Sequence, residues 1–262
     1  MNEVNKTLFI PLYGKAQVSR KNIILHDKKA EEIWEKKAFS ITGKAKSKWL
    51  TYFMAIRARV FDDWTDTMLR KNKNTLVLHI GCGLDSRCLR VKEKYMKWID
   101  ADFYDVISQR RNYFEETTNY EMAVVDASKV DDIVKLPNSS DVIVILEGIS
   151  MYLTNSELRS LFYALQKKYN TVHILIDVYT EFSAKISKYK NPVNEVGVKK
   201  LYGVDNIEQL VAETKIKVKA ENSLTPDILI SELNGFEKIF FKTVFAGKIA
   251  EKIYKLYELE TL

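Results

Sequence analysis

Three observations in the sequence predict an α/β fold built on a doubly wound, mostly parallel sheet. Five mostly apolar residues, Leu76–Ile80, run into Gly81-Cys82-Gly83, and polar residues that suit a helix start follow them. A buried strand, a tight glycine turn and a helix together form the ligand-binding corner of such a sheet. Strand-like and helix-like stretches then alternate along the chain, and acidic residues follow the strands.

The individual elements are predicted from apolar runs and periodicity. Five strands are predicted at residues 76–80, 96–99, 122–125, 141–146 and 172–176, with helices between them at 84–94, 104–117 and 156–169. A last pair of strands at 215–221 and 236–245 precedes a closing helix at 246–260. Helices are also predicted before the sheet, at 27–39 and 49–69, and aromatic residues at three- and four-residue spacing make the second a core-facing helix.

The length of 262 residues predicts one domain in four parts. Residues 1–74 form an N-terminal helical cap, 75–180 the ligand-binding core, 181–215 a polar, lid-like insertion, and 216–262 the last strands and helix. The net charge of +6 indicates solubility, an acidic substrate or weak nucleic-acid affinity.

The two cysteines and three histidines argue against a metal site and a disulfide framework. Cys82 and Cys88 lack metal-ligand spacing, and the histidines are scattered, which fits a reducing cytoplasm. No apolar run reaches the roughly 18 residues that cross a bilayer, and the first residues lack a signal-peptide core. We therefore expect a cytoplasmic protein with no membrane partner.

The acidic residues after the predicted strands indicate the chemistry of the ligand. They are Asp100, Asp102, Asp126, Glu147 and Asp177. Ionised carboxylates only accept hydrogen bonds, so they suit a ribose diol, an exocyclic amine or an ammonium group. A nucleoside that carries an amino-acid tail has all three. The third glycine of the dinucleotide fingerprint is absent, and an aspartate, residue 85, stands two residues after Gly83, which argues against a pyrophosphate.

Six segments together resemble the leucine carboxyl methyltransferase family, and more closely its bacterial polyketide O-methyltransferase-like branch. They are IPLYGKA (10–16), IRARVFDDW (56–64), HIGCGLDSR (79–87), IDADFYDVI (99–107), VVDASK (124–129) and EGISMYL (147–153). The resemblance covers about the first 155 residues. It implies a class I methyltransferase fold, a Rossmann-like sheet of seven strands, with S-adenosyl-L-methionine as cofactor and S-adenosyl-L-homocysteine as product.

The resemblance also implies roles for matching residues around the nucleoside. Gly81 and Gly83 would line the methionine and ribose part of the cofactor, and Asp102 would receive the ribose hydroxyls. Asp126 and the backbone of Ala127 would hold the adenine edge. Ala127 departs from the family, which usually has a bulky apolar residue at that position.

Further roles concern the methionine end and the acceptor. Glu147 would lie near the methionine amino group, and Lys15 and Arg59 would pair with its carboxylate. Tyr152 is a candidate for the acceptor site, and no residue is assigned with certainty to catalysis. Tyr104 stands where the family usually has proline, and the chain is short for the family, which predicts a reduced acceptor pocket.

The expected activity is methyl transfer to an oxygen of a small molecule, either a carboxylate or an acidic hydroxyl. His79 and His173 lie within predicted strands and are interpreted as structural, so an acceptor that is already ionised is favoured. A nucleic-acid acceptor is disfavoured because no proline-rich aromatic motif follows the fourth strand. Two alternatives stay open: a cofactor-binding protein without catalysis, and a nicotinamide-dependent oxidoreductase. The oligomeric state is not predicted.

Overall fold

The computed structural model describes residues 7–36, 41, 43–190 and 200–261. In this part of the chain seven strands form one sheet in the order β3-β2-β1-β4-β5-β7-β6. The strands are β1 (Leu76–Ile80), β2 (Lys97–Asp102), β3 (Tyr120–Val124), β4 (Asp141–Leu146), β5 (Thr171–Tyr179), β6 (Ile216–Asn222) and β7 (Tyr254–Thr261). All neighbours pair in parallel except β7, which is antiparallel to β5 and β6. The predicted fold class is confirmed.

Helices cover both faces of the sheet. Those before it are α1 (Phe9–Arg20), α2 (Lys28–Lys36) and α3 (Lys48–Lys71). Those within and after it are α4 (Arg87–Arg90), α5 (Tyr104–Arg110), α6 (Val130–Val134), α7 (Asn155–Lys168), α8 (Glu181–Lys190), α9 (Ile207–Val211), α10 (Asp227–Ile230), α11 (Gly235–Phe245) and α12 (Gly247–Glu251). Short 3₁₀ helices span Gly43–Lys46 and Ser150–Tyr152.

Alternate residues of each central strand pack against different helix layers, because successive side chains point to opposite faces. Leu78 and Val144 belong to a core that includes Phe162 of α7. Val77 belongs to the core on the other face, which includes Phe61 of α3. Burial on both faces explains why β1 and β4 are nearly continuous apolar runs.

The aromatic helix has the predicted core-facing role. Helix α3 buries Tyr52, Ile56 and Phe61 completely or nearly so, and it packs against α1 and the sheet. Helix α1 was not among the predicted elements. These N-terminal helices cover the carboxyl ends of the strands, which is where the ligand crevice of an open α/β sheet lies.

The predicted strand at 236–245 is wrong, and of the predicted closing helix at 246–260 only the short helix α12 forms, because β7 begins at Tyr254. Residues 235–245 form helix α11, in which Phe241 and Phe245 are four residues apart and stack with ring centroids 5.6 Å apart. β7 lies between β5 and β6, so Leu256 joins one core and Tyr257 the other. The aromatic residues of 236–245 favoured a strand there. Whether this segment and β7 become helix or strand is decided by contacts with distant parts of the chain, which local composition does not show.

Two predicted helices are shorter than expected. The helix after the glycine turn is α4, not 84–94, because the backbone N–H groups of Lys92 and Glu93 donate to Asp66 Oδ1, at 2.8 and 3.0 Å. The helix predicted at 104–117 ends as α5 at Arg110.

The lid-like insertion begins with helix α8 and ends near α9. Pro192 and Gly197, on which the prediction partly rested, lie outside the described residues. Ser183 and Ile186 of α8 border the cavity described below. Closure of this segment over a ligand stays a prediction. Across the described residues, none of the helices combines the length and apolar character that a bilayer crossing requires.

Candidate functional site

A cavity of about 1230 Å³ lies where the carboxyl ends of the strands meet α1 and α3. Its walls include the turns that follow β1, β2, β3 and β4. Seven of the eight predicted cofactor residues and the acceptor candidate line it: Lys15, Gly81, Gly83, Asp102, Asp126, Ala127, Glu147 and Tyr152. The cavity therefore brings together residues that are far apart in the sequence.

The glycine turn after β1 has a backbone that side chains rarely adopt. Gly81 has φ of 74°, and a Cβ built on it would lie 2.0 Å from Cγ2 of Ile149. Glycine is therefore required here both by conformation and by space. The turn is fixed by the N–H of Gly81, which donates to the carbonyl of Ala101 at 2.8 Å.

Asp102, at the end of β2, stabilises the same turn through hydrogen bonds. Its Oδ2 accepts the N–H of Gly83 at 2.8 Å, and its Oδ1 accepts the N–H of Phe103 at 2.8 Å. Burial raises the pKa of Asp102, and the two N–H groups act in the opposite direction. Each oxygen keeps a further lone pair, so the carboxylate can still accept hydrogen bonds from a ligand in the cavity.

Asp126 and Ala127 follow β3 on another wall of the cavity. Asp126 Oδ1 accepts the N–H of Ser128 at 3.0 Å and its hydroxyl at 2.6 Å. Burial opposes ionisation of Asp126, but these hydrogen bonds and Lys129, whose Nζ lies 3.3 Å from Oδ2, lower its pKa. Asp126 is therefore an ionised acceptor at neutral pH.

Glu147, after β4, lies between two buried arginines. Arg57 Nε donates to Glu147 Oε1 at 3.0 Å, and the guanidinium of Arg87 donates to Oε2. Burial opposes ionisation, but the positive charges of Arg87 and Arg57 lower the pKa of Glu147 to about 2. The Glu147 side chain is buried but lines the cavity, and it carries a negative charge at neutral pH.

Arg57 also pairs with Asp177, the fully buried acid near the end of β5. Arg57 Nη1 donates to Asp177 Oδ2 at 3.2 Å, and the N–H of Gly148 donates to Oδ1 at 2.6 Å. Burial raises the pKa of Asp177 to about 6, although Arg57 and Gly148 act against that rise. Gly148 has φ of 70° and lies against the guanidinium, since a Cβ there would be 3.2 Å from Arg57 Nη2.

Lys15 is buried on α1, and its Nζ lies 2.6 Å from Asp85 Oδ2. Asp85 also pairs with Arg90 at 2.9 Å. Burial opposes ionisation of Asp85, but Arg90, Lys15 and Arg87 lower its pKa well below the usual range. Asp85, two residues after Gly83, thus holds Lys15 at the cavity wall.

Arg59 is the one predicted cofactor residue that does not line the cavity. Its Nε donates to Asp63 Oδ1 at 2.8 Å, and Nη1 donates to the carbonyl of Ile24 at 2.9 Å. The predicted position of Arg59 at the cofactor site is therefore wrong, and Arg57, two residues earlier, lines the cavity instead. Two positions along a helix turn a side chain by about 200°, so the residues lie on different faces of α3.

Tyr152, in the 3₁₀ helix after β4, lines the cavity beside Tyr179 and Tyr254. Burial raises the pKa of Tyr152 to about 12, so its hydroxyl is neutral at physiological pH. Tyr179 and Tyr254 pack edge to face with ring centroids 4.3 Å apart. The three tyrosines border the apolar end of the cavity.

The two strand histidines differ in position. His79 is buried, borders the cavity, and its ring nitrogens lie 3.2 Å from Asp100 Oδ1 and 3.3 Å from Arg87 Nη1. His173 lies near the start of β5, at the opposite edge of the sheet, with Nδ1 3.4 Å from Glu260 Oε2. His173 is therefore too far along the strand to face the cavity.

Sequence reasoning missed the side chains of Arg57 and Asp85 as parts of the site. A signal for Arg57 was present, because it stands four residues before Phe61, and therefore on the face of α3 that packs against the sheet. The role of Asp85 had no such signal, since its partner Lys15 is 70 residues away.

The sheet order, the antiparallel β7 and the glycine turn with an acid after β2 define the class I methyltransferase architecture. Among solved structures, magnesium protoporphyrin IX methyltransferase from Synechocystis PCC 6803 with bound SAH aligns with a TM-score of 0.52 and 9% identity, over 88% of this chain and 94% of that one. A putative methyltransferase from Thermobifida fusca YX aligns with a TM-score of 0.56 and 12% identity, over 84% and 89%. At sequence identities this low, the structural similarity shows only that these proteins share a fold.

The model of the leucine carboxyl methyltransferase family matches residues 7–166, and this chain belongs to that family. The tetracenomycin polyketide synthesis O-methyltransferase TcmP of Streptomyces glaucescens is 25% identical over 209 residues, 79% of this chain and 77% of that protein. The S-adenosyl-L-methionine-dependent methyltransferase dpfgK of Gibberella zeae is 32% identical over 173 residues, 60% of this chain and 58% of that protein. The protein is an S-adenosylmethionine-dependent methyltransferase, and the oxidoreductase alternative is set aside.

Proposed function

We propose that this enzyme transfers a methyl group to a carboxylate or acidic hydroxyl of an apolar organic molecule. The observation that carries the proposal is that the lining of one cavity differs between its two ends. Asp126, Asp102 and Glu147 follow β3, β2 and β4 toward one side of the sheet, whereas Tyr179 of β5, Tyr254 of β7 and the apolar residues of α11 and α12 lie toward the other side. The first end suits the cofactor and the second an acceptor.

The charged end fits the cofactor part by part. Carboxylates accept hydrogen bonds from hydroxyl and amino groups, so Asp102 would hold the ribose, and Asp126 with the backbone of Ala127 the adenine amine. Glu147 would face the methionine ammonium group. Gly81 and Gly83 leave room for the methionine and ribose between these acids.

The methionine carboxylate would lie between Lys15 and Arg57, since both line the cavity. Both cations already pair with buried acids, Asp85 and Glu147, so the protein holds them in place before the ligand arrives. A preorganised charge loses little side-chain entropy when it binds a carboxylate.

The apolar end favours a larger acceptor than the short chain suggested. A pocket for one drug-sized ligand has a volume of about 300–1,000 Å³, so this cavity of about 1230 Å³ has room for the cofactor and an acceptor together. Apolar side chains supply most of that end: Leu50, Phe53, Met54, Ile186, Val244, Phe245, Ile249 and Ile253. These side chains favour an acceptor with rings or chains over a small polar acid.

When bound, the cofactor supplies an electrophilic methyl group on a positively charged sulfur. The protein's task is then to hold the acceptor oxygen in line with that group, and positioning alone can contribute several kcal/mol. Tyr152, neutral with a pKa of about 12, would donate a hydrogen bond to the acceptor rather than remove its proton. Asp177 is fully buried and engaged by Arg57 and Gly148, so it is not placed as a base. An acceptor that is already ionised in water needs no general base.

An acceptor panel with methyl-labelled cofactor tests this proposal. It pairs apolar ring-bearing carboxylic acids and acidic phenols with small polar acids of the same acidity, and includes peptides with free C-termini and RNA. We expect label in the apolar acids or phenols. Label only in RNA would overturn the proposal. Cofactor binding without transfer to any member of a broad panel would favour the alternative of a non-catalytic binding protein. The cytoplasmic location stays a prediction.

A further inference from the structure

Large apolar side chains surround the opening of the cavity and are exposed to solvent. Ile186 of α8, Val244 of α11, Ile249 of α12 and Ile253 all line the cavity. Their exposed fractions are 46%, 39%, 51% and 37%. Isolated exposed apolar residues are ordinary, but several around one opening mark an interaction site.

The apolar surface continues outward from this opening along two helices. Phe182 precedes Ile186 by one turn of α8 and is 58% exposed. On α11, Phe236, Phe240 and Val244 recur every four residues and therefore share one face. The rings of Phe236 and Phe240 are 5.8 Å apart, and Phe236 is 72% exposed.

Exposed lysines accompany these apolar residues. Residues 235–253 contain four lysines (Lys238, Lys242, Lys248 and Lys252), all exposed, and two glutamates. One of those glutamates, Glu237, is engaged by Lys48 and by the hydroxyl of Tyr52. Among the lysines, Lys242 pairs with Asp227 at 2.8 Å, so the other three carry most of the positive charge. We call the exposed apolar residues and these four lysines the mouth surface: Phe182, Ile186, Phe236, Ile239, Val244, Ile249, Ile253, Lys238, Lys242, Lys248 and Lys252.

We propose that the mouth surface docks on an anionic phospholipid membrane. Segments with Phe and Ile on one side and lysines beside them bind at the headgroup boundary, where apolar side chains enter the acyl region. Lysine stems lie along apolar surface while the ammonium groups reach lipid phosphates. The protein would lie on the membrane without crossing it.

The lysines of the mouth surface disfavour a second copy of this chain as the partner that binds there. Two copies usually pair through a two-fold axis, so each copy presents the same patch to the other. Such a pairing would bring the two sets of lysines on the mouth surface close together, which costs free energy. An anionic lipid surface complements both the apolar residues and the charge.

Docking in this orientation places the opening of the cavity against the lipid. An apolar acceptor dissolved in the membrane then has a direct path to the apolar end of the cavity, a consequence that rests on the proposed function. The docking itself does not, because it requires neither cofactor nor acceptor. The expectation of no membrane partner is replaced by this proposal.

Co-sedimentation of the full chain with vesicles tests the docking. We compare vesicles of phosphatidylcholine with vesicles that also contain phosphatidylglycerol, in the absence of cofactor and acceptor. We expect at least about tenfold tighter binding to the anionic vesicles, weakened by salt. Absence of this preference would overturn the proposal, whatever the methyltransfer assays give.

Paired variants assign the binding to the mouth surface. Phe236→Ser with Ile239→Ser and, separately, Lys248→Glu with Lys252→Glu should each weaken binding by about tenfold or more. The matched control is Lys167→Glu with Lys217→Glu, near the opposite edge of the sheet, which should leave binding within about twofold of the parent.

All these residues are exposed, and thermal unfolding checks that each variant folds. Equal loss in the control would overturn the proposal. So would a sedimentation-velocity dimer that Phe236→Ser with Ile239→Ser dissociates, since a second copy would then cover the surface.

Discussion

Arg57 and Glu147 form a buried ion pair at the cavity wall, with Arg57 Nε 3.0 Å from Glu147 Oε1 and both side chains 5% exposed. The residues are 90 positions apart, one on α3 and one directly after β4. This pair joins the N-terminal helices to the end of the sheet. It fixes one cation and one anion at the place where we assign the methionine group of the cofactor.

The first prediction compares Arg57→Lys with Arg59→Lys. Lysine keeps the charge of Arg57 but cannot reach Glu147 and Asp177 together, so we expect cofactor affinity to fall by about tenfold or more and stability to fall as well. Arg59 makes a partly exposed pair with Asp63, worth about 0–1 kcal/mol, and its lysine variant should bind the cofactor normally. Calorimetric titration and thermal unfolding measure both. A larger affinity loss at Arg59 would restore the original assignment.

The second prediction concerns Asp102. Replacing it with alanine removes charge-assisted hydrogen bonds worth about 1.5–3 kcal/mol, so affinity for S-adenosylhomocysteine should fall by roughly 10- to 150-fold. The N–H groups of Gly83 and Phe103 also lose their acceptor, so the ligand-free protein should be less stable too.

Asp102→Asn separates these two effects, because the amide keeps one acceptor for the turn and loses the charge. Its affinity should fall while its melting temperature stays closer to that of the parent. Asp131→Asn, on the exposed face of α6, is the matched control. Unchanged affinity in Asp102→Ala would mean that the ribose is held elsewhere.

The sequence predicted the central strands well because their signal is local. β1 and β4 are buried on both faces, so short and mostly apolar runs suffice to identify them: Leu76–Ile80 with one histidine, and five apolar residues after Asp141. The C-terminal third was less predictable. Tyr254–Thr261 becomes a strand because β5 and β6 offer it partners on both sides, and that information lies outside the segment.

The residues of the candidate site also fall into a group that the sequence could predict and a group that it could not. Three of the acids predicted at the strand ends line the cavity, because the carboxyl ends of parallel strands meet at one edge of a sheet: Asp102, Asp126 and Glu147. The other two, Asp100 and Asp177, are fully buried within β2 and β5 and do not line it. Which arginine of α3 faces that edge depends on the rotation of the helix about its axis. That rotation is set by packing, with Phe61 and Ile56 buried, and motif matching alone selected Arg59 in place of Arg57.

The third prediction is a pH dependence that Asp177 introduces. Its pKa is raised by burial to about 6 in the folded protein, above an unfolded value of about 3.9. Folding therefore favours the protonated form, and the contribution of Asp177 to stability is lost as the pH rises from about 4 to about 6. Glu147 behaves oppositely, because its pKa of about 2 lies below the unfolded value, so its contribution is lost only at pH values below about 4.5.

Asp177→Asn isolates the first of these effects, since asparagine does not titrate. The free energy of unfolding, measured with urea between pH 4 and pH 7, should fall for the parent relative to the variant as the pH rises. A difference that does not change over this range would contradict the raised pKa of Asp177.

The last prediction compares Gly81→Ala with Gly235→Ala. Both glycines have positive φ, 74° and 46°, so each substitution adds backbone strain of about 1–2 kcal/mol. At Gly235 the new methyl group meets nothing within 4 Å, whereas at Gly81 it would lie 2.0 Å from Ile149 Cγ2 and force the cavity wall to move. We therefore expect Gly81→Ala to lose more stability and at least about tenfold in cofactor affinity, and Gly235→Ala to bind normally. Thermal unfolding and calorimetry on both variants provide the measurement. Equal affinities would show that the glycine turn serves the fold without shaping the cofactor site.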